Sequence, residues 1–158
     1  MSIHLIKSVF IFMTLAILLS LGGPGTCSNA TDKWKTIIFT ENAPKVIGPY
    51  SQAVQYGGLL FISGQIAIDP ATGKLIEGGI REQTERVLKS IGAILKQAGY
   101  DYSHVVKSTC LLNDTNDFAV MNEVYSRFYL DVRPARAAFA AQALPLGALV
   151  EIETIACK

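Results

Sequence analysis

The order of strand-like and helix-like segments constrains the fold of this chain more than any other feature of its sequence. Three strand-like segments come first. Residues 36–40 are rich in β-branched and aromatic side chains, and Gly57-Gly58 separates two short runs that are typical of a hairpin. A helix, a strand, a second helix and two closing strands follow. This order predicts an α+β domain, with a mixed sheet and two helices on one face of it.

Two segments have helical periodicity. Apolar residues recur at helical spacing from Ile80 to Ala98, and Gly99 stands where a left-handed residue would end that helix. A second helix is expected after residues 114–117, which are rich in side chains that cap helix N-termini. Its predicted apolar stripe consists of Phe118, Met121, Val124, Tyr125 and Phe128.

One face of the predicted sheet has no covering layer. The remaining strands of this sheet are predicted at 104–112, 136–141 and 149–156. In the first of these, alternation places Val106, Cys110 and Leu112 on one face. Two helices cover only one side, and a domain of this size has no third layer. Self-association is the simplest way to bury the other side.

The N-terminal segment has the pattern of a secretory signal peptide. Residues 1–7 carry one lysine and no acid, residues 8–21 form an apolar run that is short for a membrane span, and small residues follow. The chain accordingly divides into a signal peptide at 1–27, a linker at 28–35 and one domain at 36–158. We expect a secreted protein with no membrane segment in its mature form. The alternatives are an uncleaved anchor, or a location in mitochondria, plastids or cytosol.

Charge and motif content exclude several function classes. A net charge of +1 without clustered Lys or Arg gives no case for nucleic-acid binding. The sequence has no phosphate loop, metal-binding cluster or nucleophile elbow, so no cofactor and no metal are expected. Cys110 and Cys157 lack the spacing of a zinc site. Buried free thiols are the expected outcome for both, and a disulfide between them in a secreted protein is the alternative. Asn29 and Asn113 begin glycosylation sequons, which matter only in the secretory route.

Two C-terminal segments offer groups that could do chemistry. Arg136 presents a planar fork of donors that matches a small carboxylate. Glu151 and Glu153 share a strand face because side chains alternate, and a glutamate in a partly dry cleft could move a proton. By residue type alone, all three could equally be solvated surface residues. Arg133, before Pro134, is expected at the surface.

The order and spacing of several motifs resemble the reactive intermediate deaminase (RidA/YjgF) family, from about residue 36 to the C-terminus. The matching segments are 41–44, 47–53, 61–66, 97–99, 116–125, 133–139, 144–147 and 149–155. The resemblance implies a chorismate mutase-like fold and a homotrimer with clefts between subunits. It also implies cofactor-free hydrolysis of 2-imino acids and enamines, such as 2-iminobutanoate and 2-iminopropanoate, to 2-oxo acids and ammonia. A non-catalytic carboxylate-binding or chaperone-like trimer and an RNA-cleaving translation inhibitor are the alternatives.

The resemblance also implies site roles. Arg136 would clamp the substrate carboxylate, and Glu151 would position or activate water. The other implied substrate-binding residues are Tyr50, Ser63, Gly64 and Asn122. Some members carry a reactive cysteine where this chain has Ala138, so thiol chemistry is excluded there. Residues 140–143 also depart from the family pattern, which leaves the substrate range open.

Overall fold

The computed structural model describes residues 35–158. The predicted signal peptide, nearly all of the predicted linker and the Asn29 sequon lie outside the described residues. Within the described part of the chain, no helix has the length and apolar character needed to cross a membrane.

Residues 35–158 form one six-stranded sheet and two α-helices. The elements are β1 Thr36–Ile38, β2 Ala53–Tyr56, β3 Leu59–Gln65, α1 Ile80–Gln97, β4 Val105–Leu112, α2 Phe118–Ser126, β5 Ala135–Ala140 and β6 Val150–Cys157. The strand order is β1-β2-β3-β6-β4-β5, and all neighbours are antiparallel except the parallel pair β4–β5. The predicted α+β class with a mixed sheet is confirmed.

Helix α1 begins and ends where the sequence indicates. Before its first turn, the Gly79 backbone N–H donates to Glu82 Oε2 at 2.9 Å, which satisfies a donor that the helix leaves unpaired. At its other end Gly99 has φ +80°, and the N–H of Tyr100 returns to the carbonyl of Leu95 at 2.8 Å. This is a Schellman stop, and it confirms the predicted role of Gly99. The apolar stripe of α1 packs on β3 and β6.

Strand β4 departs from simple alternation. Cys110 and Leu112 are buried as expected, but Val106 is 47% exposed, so its predicted place on their face is wrong. The reason is a shift in the register of β4 with β6 between Val105 and Lys107. Such a bulge turns the side chains on one side of it to the other face.

Two further expectations about burial are wrong. Phe118 is 44% exposed, although Met121, Val124 and Tyr125 of the same predicted stripe are buried. Phe118 is the first residue of α2, and its ring lies beside the guanidinium group of Arg136. Cys110 is a buried free thiol as expected, whereas Cys157 is exposed. Cys157 is the last residue of β6 and falls on the strand face that the helices do not cover.

The sheet has one buried face and one open face. Ile62, Thr154 and Ser108 are register partners on the side of the helices, and all three are buried. The other side bears apolar side chains of which several are exposed, among them Phe61 and Phe139. We call this surface the open sheet face. It includes the apolar residues Ile37, Val54, Phe61, Leu111, Phe139 and Ile155 and the polar residues Lys107, Thr109, Glu151 and Glu153.

Candidate active site

The residues predicted for the site divide between two pockets within the described chain. Tyr50, Ser63, Gly64 and Glu151 line a cavity of about 480 Å³, which we call the acid pocket; Glu153 and Lys45 also line it. Asn122 and Arg136 line a second cavity of about 380 Å³, which we call the arginine pocket; Tyr125, Tyr129 and Arg133 are among its other lining residues. The predicted base, Glu151, and the predicted carboxylate clamp, Arg136, therefore line different cavities.

Glu151 is a half-buried acid of the acid pocket. Burial raises the pKa of its carboxyl above the usual glutamate range, and the negative charge of nearby Glu153 raises it further. The side chain lies directly over Gly64. A Cβ built on Gly64 would overlap Glu151 Oε1 and come within 2.9 Å of its carboxyl carbon. Only glycine therefore leaves room for the carboxylate in this position.

A bulge in β3 shapes the floor of the acid pocket. The register of β3 with β6 shifts between Ile62 and Gln65, so Ser63 and Gly64 have no partner residue in β6. The Ser63 hydroxyl donates to the Ser51 carbonyl at 2.7 Å, and Gln65 Nε2 donates to the Ser63 carbonyl at 3.0 Å. The Ser63 hydroxyl proton thus holds the segment that carries Tyr50, while its oxygen can still accept a hydrogen bond.

The buried Gln52 holds the wall of the acid pocket, a role that the sequence analysis missed. Its Oε1 accepts from the Thr40 backbone N–H at 2.7 Å, and its Nε2 donates to the carbonyls of Thr40 at 3.0 Å and Pro44 at 2.8 Å. These bonds tie the segment before Lys45 to β2. Gln52 belongs to the motif at 47–53, and a lone polar residue at the start of a strand was the available signal.

Arg136 is fixed by side chains of α2. Its Nη2 donates to Asn122 Oδ1 at 2.7 Å. Its guanidinium carbon lies 4.6 Å from the centre of the Tyr125 ring and 5.8 Å from that of Phe118, which are cation–π distances. The predicted apolar stripe includes both rings, and its pattern does not indicate a contact with a cation. Asn122 and Arg136 are therefore brought together, as the predicted site requires.

Arg136 and Glu151 lie on opposite faces of the sheet. Arg136 is the register partner of Ser108, and Ser108 is the partner of Thr154, on the helix side. Glu151 is three residues before Thr154 in the same strand, so it points to the open sheet face. The described part of one chain thus does not bring the predicted clamp and the predicted base into one cleft.

The fold and the two pockets define an α+β protein with one acid-lined and one arginine-lined cavity. Comparisons with known proteins show the family to which it belongs. Residues 40–158 match the family model described as endoribonuclease L-PSP. The Rid family protein YyfA of Yersinia pestis has a solved structure that is 46% identical, with a TM-score of 0.77 over 78% of this chain and 99% of the other. The chain belongs to the reactive intermediate deaminase (RidA/YjgF) family. The family and fold predictions are confirmed.

Curated relatives carry names of differing precision. The 2-iminobutanoate/2-iminopropanoate deaminase of Mus musculus is 50% identical over 124 residues, covering 78% of this chain and 92% of the relative. A RutC family protein of Pyrococcus horikoshii is 55% identical over 124 residues, covering 78% of this chain and 98% of the relative. Reactive Intermediate Deaminase A of Arabidopsis thaliana, named chloroplastic, is 45% identical over 128 residues, covering 81% of this chain and 68% of the relative.

Proposed function

We propose that this protein hydrolyses 2-imino acids, such as 2-iminobutanoate and 2-iminopropanoate, to 2-oxo acids and ammonia without a cofactor. The observation that carries the proposal is the arrangement of Arg136. Asn122 and two aromatic rings hold the guanidinium, and no carboxylate within residues 35–158 forms an ion pair with it. Such a group is ready to bind the carboxylate of a small substrate through two parallel charge-assisted bonds.

Glu151 is the proposed base. The iminium carbon is already electrophilic, so the C–O bond forms as a water molecule gives one proton to the Glu151 carboxylate. Glu151 then passes that proton to the nitrogen. The C–N bond breaks as the new hydroxyl group loses its proton to the departing ammonia, which leaves a 2-oxo acid and ammonium. The raised pKa of Glu151 makes its carboxylate a stronger base.

The direct test of the function is a coupled assay. A pyridoxal-phosphate dehydratase generates 2-iminobutanoate, and 2-oxobutanoate formation is followed with and without the protein. Acceleration is expected. An unchanged rate combined with tight binding of small carboxylates would instead support the non-catalytic trimer. Cleavage of RNA is a second candidate because the family model carries the description endoribonuclease, and the same preparations should be tested on single-stranded RNA.

We propose a homotrimer with the reaction cleft between subunits. On the open sheet face, Leu111 packs against the buried cluster of Ile66, Ile68, Leu144 and Ala148. The apolar side chains of Ile37, Phe61 and Phe139 on the same face stay about half exposed within the described chain. The arginine pocket and the acid pocket are unlike surfaces of complementary charge, and a head-to-tail contact between unlike surfaces closes into a ring when the rotation between copies permits. The cleft then combines Arg136 of one copy with Glu151 of the next. The family resemblance sets the expected number of copies at three.

Native mass spectrometry at micromolar concentration should give the mass of three chains. Phe61→Asp should reduce this to one chain and remove activity, because it places a charge in the open sheet face, where Phe61 is 42% exposed. Leu130→Asp is the matched control, since Leu130 is 77% exposed and lies outside that face. A fully active monomer would contradict both the assembly and the shared cleft.

Glu151→Gln should lower kcat by roughly 10²–10⁴-fold with little change in substrate binding, because a general base is lost. Glu153→Gln should change kcat by no more than about twofold, since Glu153 is exposed and such charges contribute little. The Glu153→Gln variant should instead change the pH dependence of kcat/KM. Glu153 raises the pKa of Glu151, so its removal should move the acidic limb of the kcat/KM profile to lower pH. Equal rate losses in both variants would show that the wrong carboxylate was chosen.

The signal peptide at 1–27 and secretion remain a proposal, since they concern residues outside the described part of the chain. The plastid alternative is also retained, because the Arabidopsis relative is named chloroplastic.

A further inference from the structure

The arginine pocket carries more positive charge than one carboxylate neutralises. Two arginines, Arg133 and Arg136, line it. The other lining residues are Asn122, Tyr125, Ser126, Tyr129 and Pro134, none of which is acidic. A substrate with a single carboxylate on Arg136 would leave Arg133 without a counter-charge in this cavity.

The unpaired state of Arg133 contrasts with arginines nearby in the fold. Arg81 contacts Glu123 at 2.7 Å and Arg127 contacts the same carboxylate at 2.5 Å. Hydrogen bonds from these two arginines lower the pKa of Glu123 to about 2. Within residues 35–158, by contrast, no carboxylate forms an ion pair with Arg133 or Arg136. Within residues 35–158, the positive charge of the arginine pocket is therefore not compensated by an ion pair.

The local backbone holds both guanidinium groups at one cavity. Arg133 directly precedes Pro134, whose ring fixes one backbone dihedral, and β5 begins one residue later. Arg136 is half-buried against α2, whereas Arg133, which lies just before β5, is exposed. The arrangement suits a ligand with one anionic group bound deep on Arg136 and a second bound nearer solvent. The cavity volume of about 380 Å³ is in the range of small-molecule sites.

We propose that Arg133 is a specificity-determining residue and that the substrate class of this protein includes 2-imino acids with a second carboxylate on the side chain. This inference rests on the proposed function. Arg136 binds the carboxylate next to the imine, and Arg133 binds the distal one. Guanidinium groups suit both contacts because each can form two parallel bonds to a carboxylate. The reaction that supplies such an imine is the oxidation of an amino acid with an acidic side chain.

A paired kinetic assay tests the inference on the full-length protein. 2-Iminobutanedioate is generated from aspartate by an amino-acid oxidase, and 2-iminobutanoate from threonine by a dehydratase. Wild-type protein should hydrolyse both. Arg133→Gln should lower kcat/KM for the dicarboxylic imine by about tenfold or more, as expected for the loss of a charge-assisted contact. The same variant should lower kcat/KM for 2-iminobutanoate by a much smaller factor, because that substrate makes no distal contact with Arg133.

Two further variants distinguish a specific contact of Arg133 with the distal carboxylate from a general effect of positive charge. Arg133→Lys should keep part of the activity on the dicarboxylic imine, because a point charge remains but the planar fork is lost. Arg127→Gln is the matched control, since Arg127 pairs with Glu123 outside the cavity. It should leave the ratio of the two kcat/KM values unchanged. An equal change of that ratio in the Arg127 variant would overturn the assignment to Arg133.

A binding measurement judges the inference independently of catalysis. By calorimetry, wild-type protein should bind succinate about tenfold more tightly than butanoate, and Arg133→Gln should abolish the difference. Equal affinities would overturn the inference whatever the kinetic result. Inactivity on both imines together with a succinate preference would overturn the proposed function and the substrate class, and would leave Arg133 as the residue that binds a distal carboxylate. Equal losses on both imines in Arg133→Gln, or a change in its native mass, would show that Arg133 pairs with a protein carboxylate such as Glu153 of a neighbouring copy. That outcome also overturns the inference.

Discussion

Arg136→Ala should abolish imine hydrolysis and leave the fold intact. Loss of the charge-assisted pair with the substrate carboxylate costs about 1.5–3 kcal/mol, or tenfold and more in binding. Misorientation of the imine carbon adds to this loss, because the reaction needs the water and the carbon aligned. The fold should tolerate the change because Arg136 is half-exposed on the edge strand β5, and its side-chain hydrogen bond and ring contacts are made to α2.

The coupled assay, with circular dichroism and native mass as checks, measures this effect. Arg136→Lys should recover only part of the activity, because it restores the charge without the two parallel donors. Arg81→Ala is a suitable control, since Arg81 is an exposed partner of Glu123 on the helices and should leave turnover unchanged. Full activity in Arg136→Ala would end the assignment of Arg136 as the substrate clamp.

Gly64→Ala should be almost as damaging, although it adds a single methyl group. The new Cβ would occupy the position of Glu151 Oε1, so the carboxylate would have to move. A displacement of about 1 Å in a catalytic group can cost about 10²-fold in rate, and we expect a fall in kcat of that order. Gly79→Ala is the matched control, because a Cβ there would meet only Glu82 at an ordinary 3.6 Å.

A double-mutant cycle shows whether Gly64 acts through Glu151. In the Glu151→Ala background the obstructing side chain is gone, so adding Gly64→Ala should cost little further activity. Thermal unfolding of each variant checks that the fold persists. If Gly64→Ala lowers kcat by the same factor in both backgrounds, the glycine contributes something other than space for the carboxylate, such as direct contact with substrate.

Local sequence patterns predicted the helices and strands well, because each of these elements depends mainly on residues that are close in sequence. The periodicity from Ile80 onward predicted α1, and the left-handed preference of glycine predicted its end at Gly99. The motif match also identified residues that the structure brings together in pairs. Asn122 contacts Arg136, and Gly64 contacts Glu151.

Features that depend on pairing between strands could not be predicted in this way. The exposure of Val106 follows from a shift in register with β6, and nothing in β4 alone encodes that shift. The opposite orientations of Arg136 and Glu151 follow from registers across β5, β4 and β6. The ring contacts of Phe118 and Tyr125 with Arg136 were missed for a related reason. Apolar periodicity places an aromatic side chain on a helix face but does not say whether its partner is apolar or cationic.

The separation of Arg136 and Glu151 on opposite faces of one sheet has a consequence for newly made protein. A chain just released from the ribosome carries both groups but cannot place them around one molecule of substrate. Under the proposed assembly, activity would appear only after chains have met, so at low abundance it would rise more steeply than the amount of protein. Dilution alone would then dissociate the assembly and remove its activity, without any inhibitor. Expression level would set not only how much enzyme is present but whether the chain is an enzyme at all.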